Sequence, residues 1–176
     1  MHPVKHFITI TRHRHLVMGY CFRVGLIRRG LLHDLSKYSP VEFWAGARYY
    51  LGNRSPNTAQ RDAEGYSLAW MHHKGRNKHH FEYWTDFQNG KEGYCPIPMP
   101  KEFLIESVMD RIAASKVYKG KDYYPGCELD YLLRSQEKNI MHPDTRDELF
   151  RILTMLRDIG EKRTFHWIKT EYLRKE

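Results

Sequence analysis

His33-Asp34 sets an imidazole and a carboxylate side by side in the chain. A hard divalent cation accepts nitrogen and oxygen donors together, so this pair is a natural seed for a metal site. Neighbouring residues lie about 100° apart on a helix. The pair therefore cannot line up along one helical face, and distant elements must supply the remaining ligands. Asp34 has two oxygens and is able to bridge two ions. The chain is rich in further donors: it carries 11 histidines. Many stand in tight groups, His13 with His15, His72 with His73, His79 with His80. Histidine is the commonest metal ligand, and its neutral ring is available near pH 7. Asp110 adds a carboxylate inside an apolar helical stretch, Met109 to Ser115.

Helical periodicity dominates the elements that must carry these residues. From Phe7 to Ile27, Ile10, Val17, Cys21 and Val24 recur at spacings of three, four and seven. His13 falls on that stripe, and His15 points about 200° further round. Gly30 is expected to break this helix before Leu31-Leu32. Ser39-Pro40-Val41-Glu42 reads as a helix start, with Ser as N-cap, Pro at the first position and Glu closing a capping box. That helix runs to about Gly52, a polar loop covers Asn53 to Asn57, and one helix spans Thr58 to His73. Lys74 to Lys78 reads as a turn. Trp84 to Pro100, with Gly90, Gly93, Pro96 and Pro98, reads as a long loop. Further helices are predicted from Pro100 through Ala113, from Glu128 to Lys138, from Pro143 to Gly160 with a capping box at Thr145 to Glu148, and from Lys162 to Leu173. No segment has a strand pattern, and the expectation is an all-α helical bundle forming one domain over residues 1–176.

Composition narrows the partners. The formal charge is +8, which favours polyanions and phosphate-bearing ligands. The basic residues are scattered, and no zinc-finger, RNP or basic-zipper pattern appears. Cys21, Cys95 and Cys127 are odd in number and lack CxxC spacing, so they suit a reducing cytoplasm better than a disulfide framework. No apolar run is long enough to span a bilayer and no signal-peptide core is visible, so no membrane association is expected.

The order of His, then His-Asp, then Asp resembles the HD-domain superfamily of metal-dependent hydrolases. A closer resemblance is to a family of small, uncharacterised HD-like proteins of bacteria and phages. It is carried by Gly30 to Phe43, by Tyr66 to Trp84 with its repeated His-His, and by Met109 to Ser115. The resemblance implies an HD-type helical bundle whose ligands come from different helices, here His13, His33, Asp34 and Asp110. His13 is preferred to His15 because it faces the apolar stripe. Some HD enzymes bind a second ion through histidines between the HD pair and the last Asp. His72, His73, His79 and His80 occupy that interval. One histidine from each pair is expected to ligate, with His73, His79 and His80 as the candidates, His72 open as the alternative to His73, and Asp34 bridging.

The function implied is a phosphohydrolase with one or two divalent ions (Mn, Fe, Mg, Zn, Co or Ni), acting on a nucleotide or other phosphate ester. Metal would bring the pKa of a bound water toward neutrality. Asp34, Lys37 and Arg111 are the candidate catalytic residues. Lys37, Arg76, Asn77 and Lys78 are the candidate contacts to substrate phosphate. Lys37 also reads as a surface lysine, Glu42 either as orienting a ligand histidine or as a capping residue, and Asn77 as a turn residue. Trp70, Tyr83 and Trp84 read either as base-stacking or as core side chains. Two other functions fit the same residues: a di-iron HD-type oxygenase, and a non-catalytic, metal-stabilised module that binds nucleic acid or a protein partner.

Overall fold

The structure, a computed structural model, describes residues 1–135 and 137–174. Residue 136, inside the helix predicted over 128–138, lies outside that range. The chain is built from α1 (Pro3–Arg23), α2 (Ile27–Leu32), α3 (Pro40–Arg48), α4 (Pro56–Glu64), α5 (Leu68–Lys74), α6 (Lys101–Lys119), α7 (Cys127–Arg134), α8 (Glu137–Ile140) and α9 (Pro143–Trp167). Short 3-10 turns cover Leu35–Tyr38, Phe81–Tyr83 and Gly120–Asp122. The expected all-helical architecture holds. Among the described residues no helix is long and apolar enough to cross a membrane.

α6 is the centre of the bundle. It packs against α1, α7 and α9. Its residues Leu104 to Met109 are buried one after another, including Glu106 and Ser107. A helix buried all round has neighbours on every side. α1 lays its stripe of Ile10, His13, Val17 and Cys21 inward. α9 adds Leu149, Ile152, Leu153 and Leu156. Each such fully buried aliphatic side chain contributes roughly 1.5–3 kcal/mol of transfer free energy. All three cysteines are free, and two of them, Cys21 and Cys127, are buried.

Several local expectations are corrected. The first helix ends at Arg23, and Gly30 sits inside α2, not at a break. A Cβ there would lie 2.9 Å from Cys21 Cβ and 3.1 Å from the Met18 carbonyl, so Gly30 is what lets α2 lie directly on α1. The helix predicted over 58–73 is two, α4 and α5, parted at Gly65, whose φ is 81°. The predicted loop from Trp84 contains a short antiparallel hairpin, β1 (Thr85–Phe87) paired with β2 (Tyr94–Pro96). Three-residue strands are too short to leave an alternation in the sequence. Their main visible signature is the stacked pair Phe87 and Tyr94, with ring centroids 4.2 Å apart. The expected break at Gly160 is present: its φ of 76° and ψ of 167° are not helical, and the helix resumes beyond it to Trp167.

Neither predicted capping box forms. Ser39 makes no capping bond, and Glu42 is used elsewhere. At α9 the cap is His142, whose ring accepts from Asp144 N–H, while the Thr145 hydroxyl accepts from the buried Met99 N–H at 2.9 Å.

α1 and α3 approach closely at Gly46, where an added Cβ would overlap the His6 ring. That ring also packs against Phe43 and Tyr50. Glycine in a helix is ordinarily worth replacing by alanine, with a gain of about 0.5–1 kcal/mol. Gly46→Ala is expected to do the opposite, costing about 1–3 kcal/mol through overpacking. A lower urea midpoint with an unchanged slope reads out that loss, and a gain in stability would contradict this packing.

Candidate metal centre

The geometry of the centre begins with a turn. α2 ends at His33, and Asp34 then adopts φ 54°, ψ 26°. Among the described residues Asp34 is the one non-glycine residue with positive φ. Aspartate tolerates this left-handed conformation better than most residues, but it still carries local strain. The turn lets two adjacent side chains converge, which a continuing helix would prevent. Arg14 on α1 secures the approach, donating to the carbonyls of His33 at 3.2 Å and Leu31 at 2.5 Å.

Around Asp34 the remaining ligand candidates arrive from four directions. α1 brings His13, α6 brings Asp110, and the last turn of α5 brings His73. The chain then folds back, with Asn77 N–H bonded to the His73 carbonyl and His80 N–H to the Asn77 carbonyl. This places His79 and His80 beside His73.

Three groups of donors result among the described residues. His13, His33, Asp34 and Asp110 form the first, Asp34, His73, His79 and His80 the second, and His33, His79 and Glu106 a smaller third that overlaps both. Within each, the ligand atoms all lie within 4.8 Å of one another. Asp34 divides its oxygens between the first two. Oδ2 is 3.2 Å from His33 Nε2 and 3.7 Å from His13 Nε2. Oδ1 is 3.3 Å from His73 Nε2 and 3.5 Å from His79 Nε2. His13 Nε2 also lies 2.9 Å from Asp110 Oδ1.

The donor set fits a metal. The Nε2 atoms of His33, His79 and His80 and Asp34 Oδ1 are buried without a hydrogen-bond partner, while His13 Nε2 and Asp34 Oδ2 have ion-pair contacts to Asp110 and Lys37. They are close to one another yet not aligned to bond among themselves. An unsatisfied buried polar atom costs about 1–3 kcal/mol, and a shared cation satisfies all of them. Five imidazoles with two carboxylates suit a transition-metal or zinc-type ion, whereas Mg²⁺ and Ca²⁺ prefer oxygen ligands.

The opposite ring nitrogens are held by carboxylates. His33 Nδ1 donates to Glu106 Oε1 at 3.0 Å, and His79 Nδ1 faces the same oxygen at 3.3 Å. His73 Nδ1 donates to Glu42 Oε2 at 2.8 Å, and His72 Nδ1 to Glu42 Oε1 at 2.6 Å. A carboxylate accepts only, so each of these rings carries a proton on Nδ1 and, in its neutral form, presents Nε2 as a lone pair. His72 belongs to none of the donor groups.

The charges reinforce this arrangement. Burial opposes ionisation of Asp34, but His33, Lys37 and His73 outweigh it and hold its carboxyl well below the usual range. Burial of Glu106 is likewise overcome by its bonds to His33 and His79, which hold it at about 2. At the partly exposed Asp110, desolvation is likewise outweighed by its bonds to His13 and His33, which hold it low. Burial pushes His73 down, and burial with the neighbouring His79 pushes His80 well down. Neutral imidazole is the ligating form. His33 goes the other way: burial is outweighed by Asp34 and the surrounding carboxylates, which raise it.

The remaining candidates separate by position. Lys37 Nζ lies 2.5 Å from Asp34 Oδ2. Its side chain is 26% exposed and that of Asp110 18%, against 1% for Asp34, so solvent reaches the centre from their side. Arg111 is half-buried on α6, next to Asp110. Arg76 is exposed and bonds the His72 carbonyl. Lys78 is exposed, with Nζ over the Tyr83 ring. The Asn77 amide is engaged internally, donating to Ser36 Oγ and the His73 carbonyl, both at 2.8 Å. Trp70 packs on the rings of His73 and His80, and so walls the second group. His15 is exposed on the far side of α1.

Glu106 is not apparent from motif order, whereas Glu42 was open to orienting a ligand histidine and does hold His73. The available signal was spacing: Glu106 stands four residues before Asp110, hence on the same face of the same helix.

Fold and site together define an all-helical protein with a buried histidine–carboxylate centre able to hold a metal ion. The chain belongs to a family of unknown function, DUF5662, which matches residues 2–155. Every ligand candidate and both supporting carboxylates fall inside that range. No curated protein and no solved structure matches the chain.

Proposed function

We propose that this protein is a metal-dependent phosphohydrolase of the HD type, holding two divalent ions that share Asp34. The observation that carries the reading is the division of Asp34, with one oxygen facing each of the first two donor groups. When bound, the metal supplies a water acidified toward neutrality and a Lewis acid for a phosphoryl oxygen. The chain's own residues do the rest. Glu106 and Glu42 fix the histidine rings. Lys37, on the solvent-facing side, offers its ammonium to a phosphoryl oxygen and offsets charge that develops there. Arg111, Arg76 and Lys78 extend the positive field toward a nucleotide or another phosphate ester, and the net charge of +8 draws such anions in. Three free cysteines suit a reducing, cytoplasmic setting.

Protein loaded with Mn²⁺, with bound metal confirmed, is expected to turn over members of a panel of nucleotides and simple phosphate esters. Lys37→Ala is expected to lower kcat/KM by roughly 10²-fold without lowering metal content. An inactive protein with both ions bound would overturn the hydrolase. The histidine-rich donor set also favours iron, which supports a second reading as a di-iron oxygenase. Iron content with oxygen consumption, in place of phosphate release, distinguishes it.

A further inference from the structure

One carboxylate oxygen serves both halves of the centre. Glu106 Oε1 accepts from His33 Nδ1, a member of the first donor group, and faces His79 Nδ1, a member of the second. Its other oxygen, Oε2, is 3.5 Å from Arg29 NH1. Arg29 is itself held, 3.4 Å from Glu102 and with its guanidinium 3.5 Å from the centroid of Phe103. Glu106 is 6% exposed, so water does not compete for these bonds. Glu42 differs. It gives one oxygen to His73 and the other to His72, and His72 belongs to neither group, so Glu42 supports only the second half.

We propose that Glu106 is a positioning residue that couples the two metal subsites, so that filling one prepares the other. The inference rests on the two-ion reading above. An ion on His33 Nε2 draws electron density from the ring and makes Nδ1–H a stronger donor. Glu106 Oε1 is then held in the orientation that also receives His79 Nδ1–H. This keeps the His79 proton on Nδ1 and its Nε2 aimed at the second position. The effect runs equally in the other direction, as linkage requires. Asp34 also joins the halves, but it remains in every variant below, so differences between variants isolate Glu106.

The test is titration of metal-free protein with Mn²⁺ alone, following bound ion and the exchange-coupled signal of a manganese pair by electron paramagnetic resonance. Circular dichroism checks that each variant is folded. The unaltered chain is expected to bind two ions. Glu42→Gln is expected to weaken one binding event by roughly 10- to 100-fold and leave the other nearly unchanged. Glu106→Gln keeps volume and an acceptor oxygen, and is expected to weaken both events by that factor. The coupled signal should then appear only at correspondingly higher Mn²⁺. Arg29→Gln leaves the carboxylate but frees its outer oxygen, so it should move both events in the same direction by less. This second variant decides the matter should Glu106→Gln not fold. Two ions in the unaltered chain with only one event shifted by Glu106→Gln, or by Arg29→Gln, would overturn the coupling and leave the two-ion reading intact. Fewer than two ions in the unaltered chain would overturn the two-ion reading and the coupling with it.

Discussion

Asp34→Asn is expected to abolish metal binding in both halves of the centre while leaving the fold in place. The carboxylate is the only group common to the first two donor sets. Asparagine matches its volume and accepts the left-handed backbone found there, so the turn after α2 survives. What changes is the donor count. One oxygen becomes an amide nitrogen that repels a cation, and the negative charge that both sets share is lost. Metal content by elemental analysis should fall from two ions per chain to less than one. Turnover should fall by 10³-fold or more, beyond the roughly 10- to 100-fold typical of losing a supporting partner. Asp110→Asn, which alters one set only, should keep one ion. Unchanged metal content in Asp34→Asn would remove the central premise of the centre. Asp34→Ala is a poorer probe because alanine adds the backbone strain of positive φ.

Stripping the metal is expected to give the largest change in stability. Ligand that binds only the folded state stabilises by RT ln(1 + [L]/Kd), about 4 kcal/mol at a thousandfold excess over Kd. For a chain of this size each kcal/mol moves the melting point by roughly 2–4 °C. Chelation should therefore lower the Tm by about 8–16 °C for each tightly held ion, and added Mn²⁺ or Zn²⁺ should restore it. The physical source is the cluster itself. Without a cation, the Nε2 atoms of His33, His79 and His80 and Asp34 Oδ1 lack hydrogen-bond partners, and several imidazoles crowd together, His79 and His80 with ring centroids 4.1 Å apart. In Asp34→Asn the same chelation should move the Tm little. A wild-type Tm indifferent to chelator, after confirmed loading, would show that the cluster is satisfied by other means.

Local patterns in the chain were sufficient for the helices and for half of the centre. The stripe of Ile10, Val17 and Cys21 placed His13 on the buried face of α1 and His15 off it, because a helix has a fixed angular step. Proline at the first helical position correctly marked α3 and α9, since proline fixes φ and needs no N–H there. The turn after α5 was legible from Gly75 and Asn77, and it brings His79 and His80 beside His73. The expectation that one histidine of each pair would take part was half met. His72 is diverted to Glu42, whereas both His79 and His80 join the group.

What escaped the sequence shares one cause: it depends on partners far apart in the chain. Ser39 and Glu42 have the spacing of a capping box, yet Glu42 turns to His72 and His73, some 30 residues on. A bond from a carboxylate to an imidazole N–H in a low-dielectric interior is stronger than one to a backbone amide at a solvated helix end. Glu106 meets His33 across 73 residues, and no local pattern encodes such a distance. Gly30 reads as a helix breaker until α2 is seen lying on α1. The sequence by itself determined the helical class, the donor types and the faces on which His13 and Asp110 lie, because these follow from composition and helical period. Only the tertiary structure decided that His33 and Asp34 converge through a left-handed turn, that Asp34 divides between two donor groups, that Glu42 takes the histidine role over the capping one, and that Glu106 orients the rings of His33 and His79. Those outcomes belong to packing between α1, α3, α5 and α6, where burial selects which polar groups must find one another.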